Sequence, residues 1–305
     1  MQLPGRLEIP RVALSTGAEL SCVAAGCWRL VEQSKHDVAR VEAFIDDCLA
    51  LGITTFDHAD IYGQYSSQSL FGAALRLRPA LRERMQLVSK CGIAPVSERV
   101  PRHRVLHLDS SRGYIIESVE GSLRALGTEH LDLFLIHRPD FLTSCDEVAE
   151  AFTRLREQNK VSNFGVSNFS PSQFALLQSK LPFPLVTNQI ELSVLETSAL
   201  RDGTLTDIQL RDIVAMTWSP LAGGRLFSNP DNERVRAAIS EVAERNGVDP
   251  MTVAIAWILR LPGRIVPILG TIDQRRLAHA ARACSLSLDR QDWYEIYTAA
   301  GNAFA

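Results

Sequence analysis

Three residues stand where apolar runs end and a tyrosine follows one of them, and together the four are of the types that could move a proton. Asp57 closes Ile53-Thr54-Thr55-Phe56-Asp57, and Tyr62 follows five residues on. Lys90 closes Leu87-Val88-Ser89-Lys90, and His137 closes Leu133-Phe134-Leu135-Ile136-His137. An ionisable group at the end of a buried run is costly unless something pairs with it. Four such groups in complementary roles make chemical sense. A phenol titrates near 10, too high for a ready acid at neutral pH. An ammonium beside it would favour phenolate and lower that value. Lys90 is expected to act this way on Tyr62, with Asp57 holding the ammonium in place. His137 would hydrogen-bond a carbonyl oxygen and turn it towards Tyr62. The set would polarise and protonate a C=O while hydride reaches its carbon.

Positioning these side chains requires a repeating scaffold, and the chain repeats one pattern: a short β-branched or apolar run, a loop, then a segment of helical period. The runs end near Trp28, Asp57, Lys90, His137, Val166, Gln189, Ser219 and Leu269. Helices are expected over 35–51, 67–76, 111–126, 146–159, 170–181, 233–246, 251–261 and 274–283. Ser170-Pro171 and Asp249-Pro250 mark helix starts; Gly52 and Gly127 mark stops. Runs such as Leu131–Ile136 are apolar on both faces, as strands of a parallel sheet covered by helices are. Eight strand–helix units predict an α/β fold, a single (β/α)₈ TIM barrel domain over residues 1–305 with its active site at the C-terminal rim of the strands. The rival is a doubly wound sheet with a second domain. No G-x-G-x-x-G follows the first strand, so that rival lacks its phosphate fingerprint. Long loops at 92–110 (with Pro95, Pro101, His103, Arg104 and His107) and 220–231 (with Arg225) would shape a pocket.

The order of these residues resembles the aldo-keto reductase family. The run Gly52–Gly63, containing Asp57-His58-Ala59-Asp60-Ile61-Tyr62, resembles the family's first signature. Ser122–Asp140 resembles the second, and Val161–Phe169 is similar to the Gly-x-Ser-Asn segment. The likeness runs over about residues 15–285; the Arg-Pro-Asp after His137 and the long third loop resemble a bacterial branch of predicted oxidoreductases. The resemblance implies an NADPH-dependent reductase of aldehydes or ketones, with Asp57, Tyr62, Lys90 and His137 as catalytic residues and Tyr62 as the acid. It implies NADP bound across the barrel mouth, with NAD the less favoured cofactor. Ser167, Asn168 and Gln189 would hold the nicotinamide carboxamide, and Trp218 would stack on its ring. Ser219, Leu221, Gly223 and Arg225 would line the pyrophosphate. Thr271 and Arg276 match positions holding the 2′-phosphate, at a helix start that suits an anion. Gly270 stands where many members carry Lys, His279-Ala280 replaces an acidic–amide pair at adenine, and Gln68 replaces a Glu. Trp28 and Tyr65 would form apolar walls of the substrate pocket, and the basic residues of the 92–110 loop would favour a polar or anionic carbonyl.

Composition limits the alternatives. Of 305 residues, 46% are hydrophobic and 22% charged, and 32 Lys+Arg stand against 35 Asp+Glu, a net charge of −3. That balance gives no reason to expect nucleic acid as a partner; a small-molecule carbonyl is expected instead. No run is long enough for a membrane span, and Met1–Arg6 lacks the apolar core of a signal peptide, so a cytoplasmic protein is expected. Six dispersed cysteines form no CxxC pair and are expected to be free and mostly buried. None coincides with the proposed chemistry; Cys27 and Cys91, near the rim, are the ones to test for inactivation by oxidation. A redox sensor or partner subunit that binds NADP(H) with little turnover would keep the same residues. A metal-dependent barrel hydrolase would use His58, Asp60 and His137. Against it, His58 should point away from Asp57, and the strands ending at Trp218 and Leu269 add no ligand, so no metal is expected.

Overall fold

The computed structural model describes residues 9–142 and 144–303. Eight parallel strands close into a barrel in sequence order: β1 (Ala24–Gly26), β2 (Thr55–Asp57), β3 (Gln86–Cys91), β4 (Leu131–Ile136), β5 (Val161–Ser167), β6 (Leu185–Glu191), β7 (Val214–Trp218) and β8 (Arg264–Leu269). The ring shuts where Ile268 and Leu269 pair with Ala24 and Ala25. The expected (β/α)₈ barrel is therefore the architecture present.

Two apolar layers explain why the strands lack alternation. Inside the ring, Val88, Leu133, Leu135, Val186, Val214, Met216 and Val266 pack together. Their neighbours along each strand, such as Phe134, Phe164 and Ala215, face the helices in the larger outer core. A hairpin, Arg11–Ala13 with Glu19–Ser21, adds Leu14 and Leu20 to the inner layer. Gly165 of β5 is required by proximity: a Cβ there would lie 2.7 Å from the Thr187 carbonyl oxygen and 2.8 Å from Leu135. Nearby, the β5–β6 register shifts between Leu185 and Asn188. Such bulges re-aim the side chains that follow, here Asn188 and Gln189.

Helix ends follow the sequence signals. Ser170 caps α5 (Pro171–Gln178) in a reciprocal box with Gln173, and Asp249 caps α8 (Pro250–Leu259). Gly127, at φ +70°, ends α3 (Arg112–Leu126). The ring also contains α1 (Val38–Ala50), α2 (Ser67–Leu77), α4 (Cys145–Glu157), α6 (Thr204–Leu210), α7 (Glu233–Asn246), α9 (Gln274–Ala283) and α10 (Arg290–Ala299). The sequence signals did not reveal α6, seven residues long, or α10, which stacks Trp293 on Trp257 at 4.5 Å. The 92–110 segment is partly ordered as a short hairpin, Ile93–Ala94 with His107–Leu108. None of the described helices is long and apolar enough to cross a membrane.

Candidate active site

Asp57 and His137 line the floor of one cleft, and Lys90 lies buried behind Asp57, because β2, β3 and β4 end side by side. Lys90 Nζ donates to both Asp57 oxygens, at 2.7 and 2.6 Å, and to the His58 carbonyl at 2.8 Å. Both side chains are buried, Lys90 at 0% exposure and Asp57 at 2%. Gln189 Nε2 adds a third hydrogen bond to the carboxylate, to Asp57 Oδ1 at 3.0 Å. Tyr62 completes the group: Lys90 Nζ lies 5.1 Å from its ring centre, and the His137 ring meets it edge-on at 5.9 Å.

Tyr62 owes its place to a strained turn. Gly63, Gln64 and Tyr65 all adopt left-handed conformations, with φ +58°, +52° and +65°. A left-handed residue other than glycine costs about 1–2 kcal/mol, so the turn needs external support. Asp60 supplies part of it: its Oδ1 accepts from Ile61 N at 2.7 Å, its Oδ2 from Ser118 Oγ at 2.8 Å, and its own N–H binds Lys90 O at 3.0 Å. Gly63 packs so closely that a Cβ would lie 2.6 Å from Val31.

Electrostatics differ from the expectation at Tyr62. Burial pushes its phenol well above the usual value, and Asp57, Cys27 and Asp60 push the same way; Arg138 alone opposes. Burial and the nearby Asp57 carboxylate outweigh any lowering by Lys90, whose ammonium both Asp57 oxygens already meet. Burial also lowers Lys90 against the pull of Asp57. His137 is driven far below its ordinary range by burial, then by Lys90 and Arg138, so it is a neutral imidazole at physiological pH. The site thus holds a protonated phenol and a neutral imidazole.

Burial raises Asp60 from 3.8 to about 7. The unfolded chain ionises Asp60 near pH 4, and the folded one near pH 7. The folded state therefore loses stability as pH rises through that window and carries the full penalty above it. Asp60→Asn should stabilise the protein more at pH 8 than at pH 5, measured by urea unfolding. An equal effect at both pH values would show that Asp60 titrates normally.

Above the floor, the cleft encloses about 360 Å³ and runs from Tyr62 to Arg276. Ser167, Asn168, Gln189, Trp218, Ser219, Leu221, Gly223 and Thr271 all line it, as does Trp28, which lies beyond β1 and is 59% exposed. Several of these bind one another: Trp218 Nε1 donates to Asn168 Oδ1 at 3.0 Å, and Asn168 Nδ2 donates to Ser167 Oγ at 2.8 Å and His137 O at 3.2 Å. Arg225 is not in this lining; its Nε turns back to Ala222 O at 3.0 Å. Arg29 lines the cleft instead and reaches Gly223 O at 3.4 Å. The start of α9 is less open to an anion than expected, because the Asp273 carboxylate already accepts from Arg276 N at 3.0 Å. Ala280 is fully buried and presents nothing to a ligand, while His279 lies 3.8 Å from Asp249.

Tyr65 does not wall the cleft. The left-handed turn sends it into a second cavity, of about 240 Å³, with Asp60, Gln68, His103 and Tyr114. Two basic loop residues, Arg102 and His103, line the same second cavity: Arg102 pairs with Glu117 of α3 at 3.0 Å, and His103 packs on His107. Gln68 is buried there, donating to Ser89 at 2.7 Å and Ser122 at 3.1 Å. From the 92–110 segment, Ile93 lines the cleft. Cys27 and Cys91 are fully buried, and burial pushes both thiols up, which disfavours the thiolate that oxidation needs. The His58 ring packs on Phe71 of the outer core at 4.7 Å. Arg29 and Arg138, which line the cleft without a sequence signal of their own, each stand one residue beyond a rim position, Trp28 and His137.

The comparisons agree with this barrel. The aldo/keto reductase family model matches residues 23–300. A protein named 6-dehydroglucose reductase from Agrobacterium fabrum is 46% identical over 95% of this chain and 97% of its own. Oxidoreductase YdhF of Escherichia coli is 47% identical, covering 93% of this chain and 95% of its own. A solved thermostable aldo-keto reductase in complex with the inhibitor epalrestat superposes with TM-score 0.80 at 25% identity, over 95% of this chain and all of that one. The chain belongs to the aldo/keto reductase family of oxidoreductases.

Proposed function

We propose that this barrel, a single domain over residues 1–305, is an NADPH-dependent reductase of a small aldehyde or ketone, with Tyr62 as the proton donor. The observation that carries the reading is the cleft floor, where a locked Lys90–Asp57 pair lies beneath a protonated phenol and a neutral imidazole. The cleft fits a dinucleotide. Amide and indole groups gather near Tyr62, the Gly223–Gly224 turn exposes backbone at φ +68° and +98°, and Arg29 and Arg276 stand farther along. Asn168 and Gln189 would hold the nicotinamide amide by exchanging their present partners. Trp218 would flank the ring, Arg29 the pyrophosphate, and Thr271 with Arg276 the 2′-phosphate. When bound, the cofactor supplies the hydride. The chain does the rest. His137 orients the carbonyl oxygen, Tyr62 Oη transfers its proton to that oxygen as negative charge grows there, and Lys90 steadies the phenolate left behind. The relative named 6-dehydroglucose reductase supports reduction of a carbonyl as the activity.

Oxidation of NADPH and NADH against a panel of aldehydes tests the proposal. The wild type should consume NADPH, whereas a sensor would bind it without consumption. Arg276→Ala should raise the KM for NADPH about 10-fold, the scale of one charge-assisted contact, and change that for NADH far less. Equal losses with both cofactors would remove Arg276 from the phosphate site.

A further inference from the structure

Three guanidinium groups line the cleft, those of Arg29, Arg138 and Arg276. The proposed cofactor carries anionic charge at two places along its length. Arg29, beside the Gly223 turn, and Arg276, at the far end, face those two. Arg138 is left over. It follows His137 directly, and its guanidinium carbon lies 5.5 Å from the centre of the Trp218 ring. Among the described residues it forms no ion pair and donates no hydrogen bond, the ring contact being its one partner. Glu191, at the end of β6, feels both Arg138 and Arg225 but lies outside ion-pair distance of either.

A guanidinium held over an indole keeps its N–H edge free for a planar pair of oxygens. Its field reaches the reacting groups, since Arg138 opposes the upward push on Tyr62 and adds to the downward push on His137. Ile61 and Ile93 also line the cleft, and their side chains have no hydrogen bond to offer. They suit a carbon skeleton, so the polar interaction beyond the reacting C=O falls to Arg138.

We propose that Arg138 is the subsite for a carboxylate on the substrate, so that the protein selects carbonyl compounds bearing an anionic oxygen group over neutral ones of the same shape. This rests on the carbonyl-reductase reading and goes beyond it in naming the substrate class.

The test is a double ratio. The kcat/KM for 4-carboxybenzaldehyde over that for benzaldehyde is measured in the wild type, Arg138→Ala and Arg138→Lys. One charge-assisted contact corresponds to about 10-fold or more. The wild type should favour the carboxylated aldehyde by about that factor, mainly through KM. Arg138→Ala should bring the ratio close to one, and Arg138→Lys should keep part of it. A wild-type ratio near one, or a ratio unchanged in Arg138→Ala, overturns the proposal. So does a ratio of D-glyceraldehyde to propanal that depends on Arg138 while the carboxylate ratio does not, because Arg138 would then read hydroxyl groups. Should no aldehyde turn over, the reductase reading fails separately. Calorimetric binding of benzoate and benzyl alcohol to the NADP-loaded protein still decides the subsite: benzoate preference lost in Arg138→Ala supports it, and no preference refutes it.

Discussion

Tyr62→Phe should lower carbonyl reduction by about 10²–10⁴-fold, the span that one positioned acid contributes, and leave NADPH affinity within a few-fold. The substitution keeps the ring that Lys90 approaches at 5.1 Å and His137 at 5.9 Å, so the turn retains its packing and loses only the hydroxyl. Stopped-flow turnover combined with fluorescence titration of NADPH separates the two effects. Turnover within a few-fold of wild type would remove Tyr62 from the chemistry. A parallel loss of NADPH binding would show instead that the phenol supports the cofactor site.

The pH profile gives the same assignment an independent check. Burial and Asp57 hold the phenol above its ordinary value, so the acid stays loaded throughout the neutral and mildly alkaline range. His137 is neutral for the opposite reason, its pKa lying well below the usual one. Reduction should therefore run level from about pH 6 to pH 9, because neither group changes protonation there. Alcohol oxidation, which starts from phenolate, should rise with pH over the same interval.

The barrel and Asp57, Lys90 and His137 were legible because each of the three breaks an apolar run at a strand end, where an unpaired charge is expensive, and Tyr62 was legible by its place five residues past Asp57. Arg29 and Arg138 were hidden because they sit one step past those runs, where any polar residue is tolerated. Tyr65 was misplaced because only Gly63 signals the left-handed turn; Gln64 and Tyr65 adopt positive φ with no sequence cue. The charge on Lys90 was legible, but its effect on Tyr62 was not, since that depends on both Asp57 oxygens closing on one ammonium. The loop cations were likewise visible but misassigned, as α3 offers Glu117 to Arg102 on the side away from the cleft.

The Lys90–Asp57 pair should separate stability from chemistry. Lys90→Met leaves Asp57 buried, with Gln189 Nε2 as its remaining side-chain donor, and strips the His58 carbonyl of its partner. Breaking a buried pair on one side costs about 3–5 kcal/mol, so urea unfolding should show a loss of that order together with loss of turnover. Replacing the other partner as well, in Lys90→Met/Asp57→Leu, removes the orphaned carboxylate and should recover most of the stability, because a buried pair is often no better than an apolar one. Turnover should stay lost in the double variant, since no cation remains beneath the phenol to steady the charge left by proton transfer. Recovered stability with dead chemistry means that the ammonium is there for Tyr62 and that Asp57 is there for the ammonium. A double variant that regained turnover would reduce the pair to a structural bridge, and the proton transfer would then need another source of stabilisation.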